Sequence, residues 1–214
     1  GSHSPSPLNS EAHQGDLSAV LLQNLNPLVN LIRVPKKPII LMDEWESKIK
    51  AIVENTWNKD VNSLSGVPSW MLVLIKAVLK KTGREYLTDV WPNLEVFFHG
   101  GISFEPYREQ YKTLIPSNKM HYMETYNASE GFFGLQDDPT DSSLLMMPDY
   151  GIFYEFIPMN EVGNAHPTVL PLESVETGKN YAMVITTSGG LWRYQIGDTV
   201  RFTSLFPHKF VISG

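Results

Sequence analysis

Leu94-Glu95-Val96-Phe97-Phe98-His99-Gly100-Gly101 is the stretch on which the fold turns. Leu94 to Phe98 is almost unbroken apolar sequence, which predicts a strand in a sheet covered on both faces. The paired Gly100 and Gly101 allow a sharp turn and let a flat ring lie against the backbone; a plain strand-to-helix turn uses the same residues. A helix is then predicted over 105–115, stopped by Pro116. Upstream, Val61 to Ser65 reads as a short strand. Pro68 suits the first turn of a helix over 68–82, and Gly83 is a natural stop for it. A further helix is predicted over 43–57, with Trp45, Ile49, Ile52 and Val53 as its apolar stripe, and a helical pattern begins at Asp16 with Leu17, Val20, Leu21 and Leu25. Strand, helix, strand, helix is the order of an α/β sheet with flanking helices.

Beyond Met120 the pattern becomes mainly β. Segments 121–126, 131–135, 144–147, 151–158, 181–187 and 191–196 read as strands, which predicts an antiparallel run. Turn chemistry divides them at Asp137-Asp138-Pro139, Pro148-Asp149 and Ser188-Gly189-Gly190, and 160–178 reads as a long polar loop. The expected organisation is therefore a lead-in over 1–15, an α/β sheet-and-helix part over 16–118 and a β-rich part over 119–214. Gly1-Ser2-His3 reads as the scar of a cleaved tag, and 4–15 reads as poorly ordered. The end at Gly214, straight after the strand-like Phe210-Val211-Ile212, reads as a cut through a larger protein.

Composition narrows the function. The formal net charge is −6, with no basic run longer than a lysine pair, so the footprint of a nucleic-acid partner is missing. The absence of cysteine excludes disulfides, thiolate zinc sites and cysteine nucleophiles. The longest apolar run, Met71 to Ile75, is far short of the ~20 residues of a membrane span. With no secretory signal, a cytoplasmic location without membrane attachment is the default expectation. His99, His121, His166 and His208 show no metal-ligand spacing. Asp137, Asp138 and Asp141 lack the glycine and terminal glutamate of a calcium loop and read as a solvated turn.

Two segments carry chemistry. Tyr126-Asn127-Ala128-Ser129-Glu130-Gly131 joins two predicted strands. Small residues there let backbone N–H groups approach an anion, Ser129 adds a hydroxyl, and Glu130 can hold a divalent cation, which together describe a phosphate–magnesium loop. A strand-connecting turn accounts for the same residues. In Trp192-Arg193-Tyr194-Gln195-Ile196-Gly197-Asp198, a carboxylate after a tight glycine turn at a strand end can accept both hydroxyls of a ribose; a hairpin turn with a solvated aspartate is the other reading.

In order and spacing, these segments resemble the auxin-responsive (Gretchen Hagen) acyl-acid–amido synthetase family, in its bacterial branch, within the acyl-adenylate-forming superfamily. The resemblance runs from about Asp16 to Gly214. It is carried by Ser65-Gly66-Val67-Pro68-Ser69-Trp70, Trp91-Pro92-Asn93-Leu94, His99-Gly100-Gly101, Phe104-Glu105-Pro106-Tyr107, Tyr126 through Gly131, and Leu191-Trp192-Arg193-Tyr194 through Asp198. It implies an ATP- and Mg²⁺-dependent ligase that activates a small carboxylic acid as acyl-AMP and transfers the acyl group to an amino acid. Tyr126 would lie by the adenine, Ser129 would contact the α-phosphate and Glu130 would bind Mg²⁺, which makes Ser129 and Glu130 the catalytic candidates. Gly100 and Gly101 would floor the adenine site, Asn127 would join the nucleotide loop and Asp198 would hold the ribose. Asn127 stands where the superfamily has glycine. The acid is expected near Gly66, Val67 and Trp70, at the positive end of a helix dipole, although Trp70 also reads as core.

The resemblance also implies parts that this sequence lacks: a Ser- and Gly-rich phosphate loop before it, an arginine after Gly214 and a C-terminal domain with its lysine. Without that electrostatic stabilisation the 214 residues are expected to be inactive alone. The rival reading is a non-catalytic small-molecule-binding or interaction module of the same fold. The presence of Ser129, Glu130 and Asp198 together argues against decay of the site.

Overall fold

The computed structural model describes the backbone of residues 3–5, 13–15 and 17–214 and the side chains of residues 18–214. The elements make an α/β fold with helices flanking a mixed sheet, followed by mainly antiparallel strands. They fall into two compact units, Gly1–Phe97 with Ile102–Met120, and Phe98–Gly101 with His121–Gly214.

In the first unit, β1 (His3–Pro5) and β2 (His13–Gly15) form an antiparallel ladder. The expected disorder of 4–15 thus meets a paired segment at each end, while residues 6–12 and Asp16 lie outside the described residues. The predicted first helix is broken. α1 spans Leu17–Gln23 and α2 spans Pro27–Ile32, with Leu25 between them. Pro27 starts a new helix because its ring removes an N–H that a first turn does not need, and Asn26 caps it by accepting from Leu28 N. α3 (Lys37–Ile40) follows, also with a proline in its first turn.

α4 (Trp45–Thr56) begins where the Glu44 carboxylate accepts from the backbone N–H groups of Glu46, at 2.9 Å, and Ser47, at 2.6 Å. After β3 (Ser63–Gly66), α5 (Pro68–Thr82) has its proline in the first turn. It ends on Gly83 at φ +66°, whose N–H donates to Leu79 O, a left-handed cap of the kind glycine allows. Leu72, Ile75, Val78 and Leu79 bury one face of it.

β4 (Val96–His99) is the expected strand, starting two residues later and ending one later. It is not covered on both faces, since Phe97 and His99 are buried while Phe98 is 40% exposed. α6 (Arg108–Leu114) follows a 3-10 turn, Glu105–Tyr107. The Tyr111 ring lies 5.1 Å from Phe97 and 5.2 Å from Phe104, and its hydroxyl donates to Pro68 O at 2.8 Å, which anchors the start of α5. Trp91 is buried and donates Nε1–H to Thr56 O at the end of α4.

The second unit holds the remaining strands: β5 (His121–Ala128), β6 (Gly131–Gln136), β7 (Leu144–Met146), β8 (Ile152–Pro158), β9 (Leu170–Pro171), β10 (Asn180–Thr187), β11 (Tyr194–Leu205) and β12 (His208–Ile212). Their order is β5-β6-β7-β12-β11-β10-β8-β9, and every neighbouring pair is antiparallel. Phe133, Phe156, Phe202, Phe210, Tyr126, Tyr154 and Tyr181 build the core. The polar loop expected over 160–178 contains the short strand β9 and a 3-10 turn, Leu172–Ser174. Lys209 ties the Asp137–Asp141 turn to β12 by donating to both aspartates. Among the described residues no helix is long and apolar enough to cross a membrane.

Candidate functional site

The strand β5 delivers Tyr126, and the β5–β6 hairpin carries Ser129 and Glu130 as its two-residue turn, Ala128 pairing with Gly131. The segment is thus a strand-connecting turn, and its polar groups stand at the hairpin tip with Ser129 exposed and Glu130 half-buried. One residue beyond Tyr126 the ladder is offset by a bulge, so that Tyr126 faces Gly134 and Asn127 faces Phe132.

The Tyr126 ring is locked in the core. It lies 4.9 Å from Phe133 and 6.1 Å from Phe210, with 6% of the residue exposed. With that ring so covered, what Tyr126 presents is its hydroxyl, which donates to Asp198 Oδ2 at 2.5 Å. This contact joins β5 to β11, four places apart in the strand order. A flat sheet would separate them by roughly 19 Å at ~4.8 Å per strand, so this part of the sheet is curled around its aromatic core.

Asp198 does not follow a turn at a strand end, as its sequence suggested. β11 runs on to Leu205, and the glycine sits in a bulge within it. Ala182 pairs with Thr199 and Val184 with Gln195, so Ile196, Gly197 and Asp198 together oppose Met183 alone. Gly197 adopts φ +98°, a conformation glycine takes without steric cost, and the bulge re-aims the following carboxylate. Burial, the bond to Asp198 and the nearby charges of Asp198 and Glu130 all push the Tyr126 phenol above its ordinary pKa, burial most. Two carboxylates from distant segments therefore act on one phenol.

Gly100 approaches the same strand. A Cβ there would lie 2.3 Å from Thr125 O and 2.9 Å from Thr125 Oγ1, so the close approach that the glycine permits is to β5 itself. The Thr125 hydroxyl donates to His99 O at 3.1 Å and lies 3.4 Å from Asn127 Oδ1. Sequence reading missed Thr125; only its place directly before Tyr126 hinted at it. Gly101 follows at φ +82° and is exposed.

The structure thus gathers Gly100, Tyr126, Asn127 and Asp198 by direct or one-residue contacts, with Glu130 close enough to act on the phenol. Ser129 stands at the hairpin tip with its side chain in solvent. Gly66, Val67 and Trp70 belong to the other unit. There Val67 is the N-cap residue of α5, and Trp70 is not core: it is 56% exposed, edge-on to Trp45 at 4.4 Å. An open cleft of about 670 Å³ in that unit is lined by Trp57, Lys59, Lys81, Arg84 and Asp89 among others, and none of the sequence-predicted site residues lines it.

Arg193 stands apart from this constellation. It has φ +47°, and its Nε–H donates to Glu155 Oε2 at 3.0 Å. Glu155 pairs with Val184, which packs in a small cluster separate from the aromatic core.

Residues 2–120 match the GH3 family N-terminal domain and residues 145–213 the GH3 family central domain. Among curated proteins, the chain is 30% identical to indole-3-acetic acid-amido synthetase GH3.4 of Arabidopsis thaliana over 74% of its own length and 27% of the relative's. It is 37% identical to indole-3-acetic acid-amido synthetase GH3.8 of Oryza sativa subsp. indica over 55% of its length and 20% of the relative's. A third relative, 4-substituted benzoates-glutamate ligase GH3.12 of Arabidopsis thaliana, is 29% identical over 80% of the chain and 33% of its own length. The chain therefore spans about a third or less of these relatives.

Among solved structures, the GH3.15 acyl acid amido synthetase superposes with a TM-score of 0.74 at 18% identity, over 98% of this chain and 46% of that one. An open conformation of 2-hydroxyisobutyryl-CoA ligase in complex with 2-HIB-AMP and CoA gives 0.59 at 14% identity, over 80% and 40%. These two likenesses speak to the fold.

Proposed function

The chain belongs to the GH3 family, and from that premise we propose that it is part of an ATP-dependent acyl-acid–amido synthetase. In the proposed reaction a carboxylate oxygen of a small acid attacks the α-phosphorus of ATP. The bond to the β-phosphate oxygen breaks, pyrophosphate leaves and an acyl-AMP remains. The amine of an amino acid then attacks the acyl carbon, the bond to the AMP oxygen breaks, and the amide and AMP depart with one proton released.

One observation supports this reading above the others. Tyr126 and Asp198, 72 positions apart in sequence, meet in a hydrogen bond, with Glu130 near enough to raise the same phenol. A carboxylate held by a buried donor suits a cis-diol, which it can accept in bidentate fashion. We assign Asp198 to the ribose, Gly100 and Gly101 to the adenine floor, and Asn127 to the wall of the nucleotide loop; Tyr126, whose ring is core, reaches this site through its hydroxyl alone. Ser129 is assigned to the α-phosphate, and the acid to the start of α5 at Gly66, Val67 and Trp70.

Among the described residues no three His, Cys, Asp or Glu side chains come together as a ready metal site. Glu130 as a single carboxylate fits Mg²⁺ held jointly with phosphate and water oxygens, the way this ion is bound beside nucleotides. When bound, the ion supplies positive charge next to the phosphates; Glu130 holds it in place, and Ser129 positions the α-phosphate.

The test is acid-dependent exchange of labelled pyrophosphate into ATP by the full-length protein containing this sequence, with a panel of aromatic and aliphatic acids. Exchange that is lost in Glu130→Ala is expected. The 214-residue chain alone is expected to give none, because it spans only a third or less of the synthetases it resembles. A full-length protein that binds a small acid yet exchanges with no member of the panel would show a binding module instead.

A further inference from the structure

We propose that the Tyr126 phenol is a positioning residue for ribose recognition: it fixes Asp198 by donating to Oδ2 and so sets which carboxylate oxygen meets the sugar. The inference rests on the adenylation reading above and concerns how that site discriminates its nucleotide.

Asp198 needs such an anchor. It sits in a bulge where three residues of β11 face one of β10, directly after a glycine at φ +98°, so the ladder does little to orient its side chain. Tyr126 is suited to supply the anchor. Its ring is clamped between Phe133 and Phe210 and almost wholly buried, which leaves its oxygen one place to be. Burial and the two neighbouring carboxylates keep the proton on that oxygen, so it donates throughout the neutral and mildly alkaline range. With Oδ2 engaged, Oδ1 and the remaining lone pair of Oδ2 stay available to a cis-diol. A hydrogen bond to a charged acceptor is worth about twice a neutral one, enough to hold one rotamer of a short side chain.

The proposal predicts an effect confined to the ribose hydroxyls. With the full-length protein, affinity and the KM in pyrophosphate exchange are measured for ATP and for 2′,3′-dideoxy-ATP, which lacks the groups that Asp198 would accept. Unsubstituted protein is expected to prefer ATP. Tyr126→Phe keeps the ring and is expected to weaken ATP roughly tenfold, the loss of one charge-assisted hydrogen bond. The ratio of the KM for dideoxy-ATP to that for ATP should fall by about that factor, since only ATP carries the hydroxyls that Asp198 accepts. In an Asp198→Asn background the Tyr126→Phe change should have no further effect, since the two act through one contact.

Equal weakening of both nucleotides by Tyr126→Phe would mean a merely structural role and would overturn the proposal, as would no weakening of either. If Tyr126→Phe does not fold, Asp198→Asn alone decides, because retention of the full ATP preference in that variant is incompatible with the proposal. An unsubstituted protein that binds ATP and dideoxy-ATP equally would remove the ribose assignment itself, and the proposal with it.

Discussion

Gly100 illustrates how much one missing carbon decides. A Cβ at this position would overlap the Thr125 carbonyl at 2.3 Å, and backbone in a paired strand has no cheap way to move. Gly100→Ala is expected to cost about 1–3 kcal/mol as overpacking, read as a lower urea midpoint with an unchanged slope. Gly83→Ala makes the control: its Cβ would meet nothing within 4 Å, but φ is +66°, so its cost of about 1–2 kcal/mol is conformational. Trp91 offers a third reading at this scale. Its Nε1–H donates to Thr56 O at the end of α4, which also accepts from Lys59 N, so Trp91→Phe leaves that carbonyl paired and is expected to cost only about 0.5–1.5 kcal/mol for the lost bond. The glycine pair was legible in sequence as a place of close approach. The partner in that approach was not, because Thr125 is 25 positions away and reaches Gly100 only through strand neighbourship.

Elements with strong local signals lie where the sequence puts them. α5 runs from Pro68 to Thr82 because a proline suits its first turn and a glycine its left-handed end. α4 and α6 lie within two or three residues of their expected bounds. β11 behaves differently. Its glycine and aspartate read locally as the close of a strand, yet pairing with β10 on one side and β12 on the other carries it to Leu205. The glycine becomes a bulge instead of an end, since a ladder on both sides can absorb extra residues more cheaply than it can give up its remaining bonds. Gly197→Ala tests that account. Nothing lies within 4 Å of its Cβ, while φ is +98°, so a loss of about 1–2 kcal/mol is expected from backbone conformation alone. Thermal unfolding measures the loss, and a weaker preference for ATP over dideoxy-ATP is expected to accompany it as Asp198 is re-aimed.

At the scale of the whole molecule, the aromatic core of the second unit makes stability depend on alkaline pH. The phenols of Tyr126 and Tyr154 are both held above their ordinary value of 10.0, in each case first by burial. Above that value the unfolded chain sheds protons that the folded chain keeps. Stability is therefore fully present below about pH 10 and falls as pH rises beyond it. Urea midpoints followed from about pH 9 to about pH 11 should decline in this way, and the decline should flatten when Tyr126 and Tyr154 are both replaced by Phe. By itself the sequence determined the α/β class, the helices with caps and the family motifs, because caps, periodicity and glycine placement act over a few residues. Only the tertiary structure decided that the Asp198 carboxylate meets the Tyr126 phenol, that Tyr126 is core and Trp70 is not, and that β11 continues past Gly197. Those outcomes depend on strand order and on the curl of a sheet around its aromatic rings, and long-range pairing of that kind leaves no mark in local spacing.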